Sequence, residues 1–218
     1  MNKLLFSWPQ KNRALPVICV CVGQVIWGFS YLFTRIAQSS ASPTVVLSMR
    51  FLASWVIMTA LIWSGKKSFS LKGKNFRPLL ALALLEPPYY FFESYGVYYS
   101  NATFAGTVMA FAPVVGILAA MLFLGEKPTR RQKIFSLLPT AGVIIITSVG
   151  SSMGSVKPLG AIFLFASQIV AAGMKLYNKK SSEEFSSFER TYAIVVANAI
   201  IFTIKSMIDL HGDVRAYA

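Results

Sequence analysis

Residues 78–125 form a run of 48 positions that carries only two charges, Glu86 and Glu93. A helix needs about 20 apolar residues to cross a bilayer, so this run is long enough for two crossings. Residues 78–100 read PLLALALLEPPYYFFESYGVYYS, which places both carboxylates inside the first of them. A charge near the bilayer centre costs about 2.5–3.5 kcal/mol on insertion scales. Residues seven apart fall on one helical face, so Glu86 and Glu93 point the same way. Carboxylates in such a setting handle a polar solute or a proton. The adjacent Pro87-Pro88 pair predicts a break in the same helix.

The whole chain is consistent with a membrane environment. Of 218 residues, 55% are hydrophobic and 13% charged, with a mean hydropathy of +0.58. A soluble domain carries about 25% charged residues. The net charge of +13 does not indicate nucleic acid, because the basic residues cluster in short segments between apolar spans. Cys19 and Cys21 lie within the first apolar run and read as small apolar side chains. The one histidine, His211, is near the end. The spans therefore hold no histidine and no aspartate, which argues against an embedded enzyme, a metal site or a cofactor.

Seven spans are predicted, at 14–37, 43–64, 78–99, 102–124, 133–149, 159–174 and 191–207. The seventh is the weakest, and Lys205 has to snorkel for it to span. Basic residues concentrate in the tail 1–13 and in loops 65–77, 125–132 and 175–190, whereas the opposite loops carry almost none. The positive-inside rule then puts the N-terminus in the cytoplasm and the C-terminus outside. The basic loops also suit anionic lipids at the cytoplasmic face.

A weak internal similarity appears at an offset of 144, where QVIWGFSYLFTR at 24–35 lies over QIVAAGMKLYNK at 168–179. Five spans separate the matched starts, and an odd number inverts the second copy, a plan common among secondary transporters. Three segments carry a more specific resemblance: WGFSYLFTRIA at 27–37, SMRFLASWVI at 48–57 and residues 95–132. The pattern there runs through Gly96, Tyr99, Ser100, Ala102, Ala105, Pro113 and Gly125-Glu126-Lys127. The chain resembles the EamA family of the drug/metabolite transporter superfamily. That resemblance implies five plus five helices with a substrate cavity between inverted halves. It divides this chain into a cytoplasmic tail (1–13), a complete five-helix repeat (14–150) and a partial second repeat of two helices (151–218).

Four of the spans supply polar or aromatic candidates. Glu86 lies eight residues into its span, about 12 Å deep, and Glu93 about 9 Å from the outer end. Arg50 has a matching depth in the second span, which predicts an Arg50–Glu93 ion pair, either an outer gate or a structural neutralisation. Glu86 has no such partner and is suited to exchanging a proton, or else to a permanently protonated packing role. Tyr90, interleaved with the carboxylates, suits a cationic or zwitterionic solute. Trp27, Gln24 and Gln168 add polar or aromatic groups for a cavity wall, with packing as the alternative. Proline is expected to interrupt three spans, at Pro87-Pro88, Pro113 and Pro139.

The expectation is an all-α polytopic bundle in the bacterial inner membrane that moves a small metabolite or drug-like solute by alternating access, coupled to protons. The alternative is a truncated, non-transporting membrane protein that works only by pairing, for example as a homodimer.

Overall fold

The structure, a computed structural model, describes residues 14–125, 128–132, 134, 136, 138, 141 and 157–216. The described residues contain helices and no strand. In chain order these are α1 (Ala14–Ala37), α2 (Pro43–Trp63), α3 (Arg77–Tyr99), α4 (Ala102–Met109), α5 (Ala112–Leu124), α6 (Pro158–Ser181) and α7 (Ser187–Ala216). The tail 1–13, most of the expected span at 133–149 and Pro139 lie outside the described residues.

Local chemistry sets the helix ends. Ser42 caps α2 by accepting from the Val45 amide, and Pro43 occupies the first turn, where no amide is needed. Asn101 accepts from the Phe104 amide at 2.8 Å and starts α4. After α2 the chain turns at Gly65 with φ +71°, a conformation that side chains resist.

Four helical stretches are long and apolar enough to cross a membrane: Val17–Ala37, Pro43–Trp63, Pro158–Ser181 and Ser187–His211. The chain is a polytopic helical membrane protein. At 23 residues α3 is also long enough, but it holds Glu86, Glu93 and five tyrosines and must be covered by neighbours. The neighbours do cover it: α6 and α7 pack along its length, and α1, α2 and α4 touch it. α6 runs antiparallel to α3. The Lys157 amide donates to the Tyr99 carbonyl at 3.0 Å, Gly96 faces Leu164, and Gly173 faces Leu85.

A second seam joins α2 to α7. Leu47 and Phe51 pack against Val195, Ala199 and Phe202. Hydroxyls stitch the same seam, with Ser48 and Thr203 at 3.0 Å and Thr44 donating to Asp209 at 3.0 Å. Between the inner ends Lys74 Nζ meets Glu189 Oε1 at 2.6 Å.

Two sequence expectations need correction. The helix does not break at Pro87-Pro88, because α3 is continuous through both prolines. Proline φ is compatible with a helix, and α6 and α7 hold the segment in place. The interruption expected at Pro113 does occur: α4 ends at Met109 and α5 starts at Ala112, just before Pro113. Pro113 offers no amide to the Met109 carbonyl, and the Phe111 amide turns to Val108 at 3.1 Å instead. Lys175 from α6 donates to the Ala112 carbonyl at 3.3 Å, beside this break. Finally, the seventh span is not short. α7 has 30 residues, and Lys205 pairs with Asp209 one turn further on, at 2.5 Å.

The α3–α6 seam generates a stability prediction. A Cβ at Gly160 would sit 2.9 Å from the Tyr99 carbonyl carbon, which is backbone and cannot move aside, whereas one at Gly173 would meet its nearest atom at 3.7 Å. Gly160→Ala should therefore destabilise the bundle by about 1–3 kcal/mol, while Gly173→Ala is tolerated. Thermal unfolding in detergent checks this; equal melting temperatures for the two variants would refute the close seam.

Candidate solute site

The polar residues of α1 occur at helical spacing. Gln24, Trp27 and Tyr31 form one stripe that faces α3 and α4, and Gln38, in the turn just after the helix, continues it. Tyr31 donates its hydroxyl to Glu93 Oε1 at 2.8 Å, and Tyr89 donates to the same oxygen at 2.7 Å. Further along, Gln38 Nε2 donates to the Ser94 carbonyl at 3.0 Å and to its hydroxyl at 2.9 Å. Arg35 donates to the Tyr98 carbonyl at 2.8 Å. α1 is thus attached to α3 through its C-terminal half, largely by hydrogen bonds.

A cavity of about 450 Å³ lies between α1 and α4. Gln24, Trp27, Tyr31, Thr103 and Met109 are among its lining residues. Trp27 and Tyr31 lean together with ring centroids 5.9 Å apart. Behind Met109, Gln168 from α6 is buried and its Nε2 approaches the Met109 sulfur at 2.7 Å. Of the matched residues of the internal similarity, Gln24 lines the cavity directly, whereas Gln168 reaches it only through Met109. Glu93 stands behind Tyr31, buried and held by two phenols.

The expected Arg50–Glu93 ion pair is not formed. Arg50 stacks its guanidinium near Tyr90, 5.4 Å from the ring centroid, and near Phe51 at 5.9 Å. Phe51 in turn meets Tyr90 edge-on at 4.9 Å. Matching depth placed Arg50 and Glu93 at one level, but their helices turn them to different sides of α3. Two hydroxyls, not a guanidinium, satisfy Glu93.

Glu86 is buried at 8% exposure, and its carboxylate has no hydrogen-bond partner among the described residues. Glu93 is the charged neighbour that acts on it, two turns away on the same face. The sequence-predicted residues thus separate into groups. Gln24 and Trp27 line the α1–α4 cavity, Glu93 and Gln168 stand behind its Tyr31 and Met109, Arg50 and Tyr90 lie toward α2, and Glu86 is two turns from Glu93 on α3. Sequence reasoning missed Tyr31 and Gln38. The signal for them was the 24–27–31–38 stripe of polar and aromatic residues on α1 and in the turn after it.

Comparison with known protein families is decisive for the type of protein. The model of the EamA-like transporter family matches residues 14–148. The chain belongs to the EamA-like transporter family. It is 30% identical over 205 residues to the uncharacterized transporter YcxC of Bacillus subtilis, covering 93% of this chain and 65% of that protein. An uncharacterized transporter of Archaeoglobus fulgidus is 22% identical over 202 residues, covering 91% of this chain and 71% of its own length. The uncharacterized inner membrane transporter YedA of Escherichia coli K12 is 25% identical over 185 residues, covering 84% and 59%. The chain therefore spans about two thirds of the length of the relatives it matches. Family and relatives point to a membrane transporter, not to an enzyme.

Removing the Tyr31 hydroxyl should loosen α1. Tyr31→Phe leaves Glu93 one donor short, at a cost of about 1–3 kcal/mol. In Tyr31→Phe/Tyr89→Phe the losses should be non-additive, because both phenols share one oxygen. Thermal unfolding of the four members of this cycle measures the coupling; strict additivity would contradict a shared acceptor.

Proposed function

We propose that this chain handles solute in a transporter of the bacterial plasma membrane, with its N-terminus in the cytoplasm. The solute is a small amphiphilic metabolite or drug-like molecule, cationic or zwitterionic. The α1–α4 cavity, with Glu93 held behind Tyr31, is the observation that carries this reading. Trp27 and Tyr31 offer aromatic faces to a cation, and Gln24 and Thr103 offer hydrogen bonds. Gln168 supports the far wall through Met109. Transport follows by alternating access, with α1 moving against α3 as its polar contacts open and re-form.

Glu86 is the proton carrier in this reading. It is a buried carboxylate with no hydrogen-bond partner among the described residues, near the middle of the helix that contacts most of the others. Loading and releasing a proton there changes the charge beside Glu93 and Tyr90. That change biases the site between two arrangements, which is what coupling requires.

Reconstituted protein in liposomes loaded with a pH-reporting dye tests this reading with a panel of cationic and zwitterionic amphiphiles. A member of the panel should drive proton movement across the membrane in the wild-type protein. Glu86→Gln should reduce that movement at least tenfold, and Trp27→Ala should raise the half-saturating solute concentration. Undiminished solute-driven proton flux in Glu86→Gln would sink the proton role.

A further inference from the structure

On the other side of α1, away from the Glu93 cavity, a groove of about 680 Å³ separates α1 from α2. Its walls are mostly apolar, with Phe29, Phe33 and Val46 among them, and Ser30 and Thr34 add hydroxyls. Phe29 and Phe33 are 56% and 65% exposed, so the groove opens on the periphery of the bundle. Arg50 also lines it. The Arg50 guanidinium touches only the faces of Tyr90 and Phe51, and no carboxylate, carbonyl or hydroxyl of the described residues accepts from it. Five N–H donors are thus left without acceptors at a depth where an unpaired charge is costly. The aromatic faces of Tyr90 and Phe51 stabilise the cation from behind but accept none of these bonds in the plane of the guanidinium.

Such a group calls for a planar or tetrahedral oxyanion. Arg50 sits seven residues from the outer end of its helix, about 10 Å down, and a long arginine side chain extends from there toward the interface. We propose that the α1–α2 groove binds one phospholipid of the outer leaflet, with its phosphodiester on Arg50 and an acyl chain along Phe29, Phe33 and Val46. The single positive charge matches the single negative charge of a phosphodiester. The apolar walls match a chain, and the peripheral opening gives lateral entry from the bilayer. A polar solute fits this groove poorly, because among its lining residues only Arg50, Ser30 and Thr34 bear polar side chains.

A lipid seated there braces α1 against α2 on the side opposite the Tyr31–Glu93 contact. The inference does not depend on the transport reading, since lipid binding is measured without solute.

The test is native mass spectrometry of the purified chain titrated with phosphatidylglycerol or with diacylglycerol, which has the same chains and no phosphate. The wild type should retain phosphatidylglycerol at least tenfold more strongly than diacylglycerol. Arg50→Gln should erase that preference, because a charge-assisted contact is worth about that factor. Val46→Phe, which narrows the groove and keeps the charge, should weaken both lipids. Absence of a preference in the wild type, an undiminished preference in Arg50→Gln, or full displacement by inorganic phosphate would each overturn the proposal. If Arg50→Gln does not fold, unchanged binding in Val46→Phe overturns it alone.

Discussion

α3 cannot face lipid, and the arrangement of the other helices follows from that. It carries two carboxylates and five tyrosines within 23 residues. Each polar group exposed to hydrocarbon is costly, so other helices must enclose this one. Small residues let them come close. Gly96 admits Leu164 and Gly160 admits the Tyr99 backbone, so α6 lies along α3 with little space between. α7 closes another side and brings α2 with it through Phe51, Phe202 and their hydroxyl contacts. The same enclosure explains why Pro87 and Pro88 leave the helix unbroken whereas Pro113, in a segment with fewer neighbours, ends one.

α1 is attached by a different kind of force. Many of its large apolar side chains point outward, and its bonds to α3 come from Tyr31, Arg35 and Gln38. Between helices in lipid there is no hydrophobic gain to hold a partner, because lipid tails are as apolar as leucine. Polar contacts and packing must do so. Contacts of that kind re-form in another position more readily than an interdigitated seam. α1 is flanked by a cavity on each side, whereas α3 is packed closely against α6.

The spans at 14–37 and 43–64 were legible in the sequence almost to the residue, since length and hydropathy fix them directly. The family was legible in the motifs running through Tyr99, Pro113 and Gly125. Depth was legible too, because 1.5 Å per residue places Arg50 and Glu93 at one level. What depth does not give is the direction each side chain faces once helices pack. Arg50 and Glu93 therefore matched on paper and separated in the structure, and the partner of Glu93 proved to be a tyrosine on α1. α7 runs beyond the predicted 191–207 for a related reason: Lys205 is expected to snorkel out of the span, but Asp209 one turn later pairs with it within the helix.

The separation of charges around α3 has a mechanical consequence. Had Arg50 bridged Glu93, the site would be neutral and rigid, and neither a cation nor a proton would find an unpaired acid there. Instead Glu93 lies with two phenols, which bond its carboxyl without contributing a formal charge. The base lies behind Tyr90, on the far side, where its charge reaches Glu93 without a direct bond. Glu93 at the α1–α4 cavity and Arg50 at the α1–α2 groove are thus not paired with each other, and each stands on its own side of α1. α1 contributes a wall to both, through Gln24, Trp27 and Tyr31 on one side and Phe29, Phe33 and Thr34 on the other.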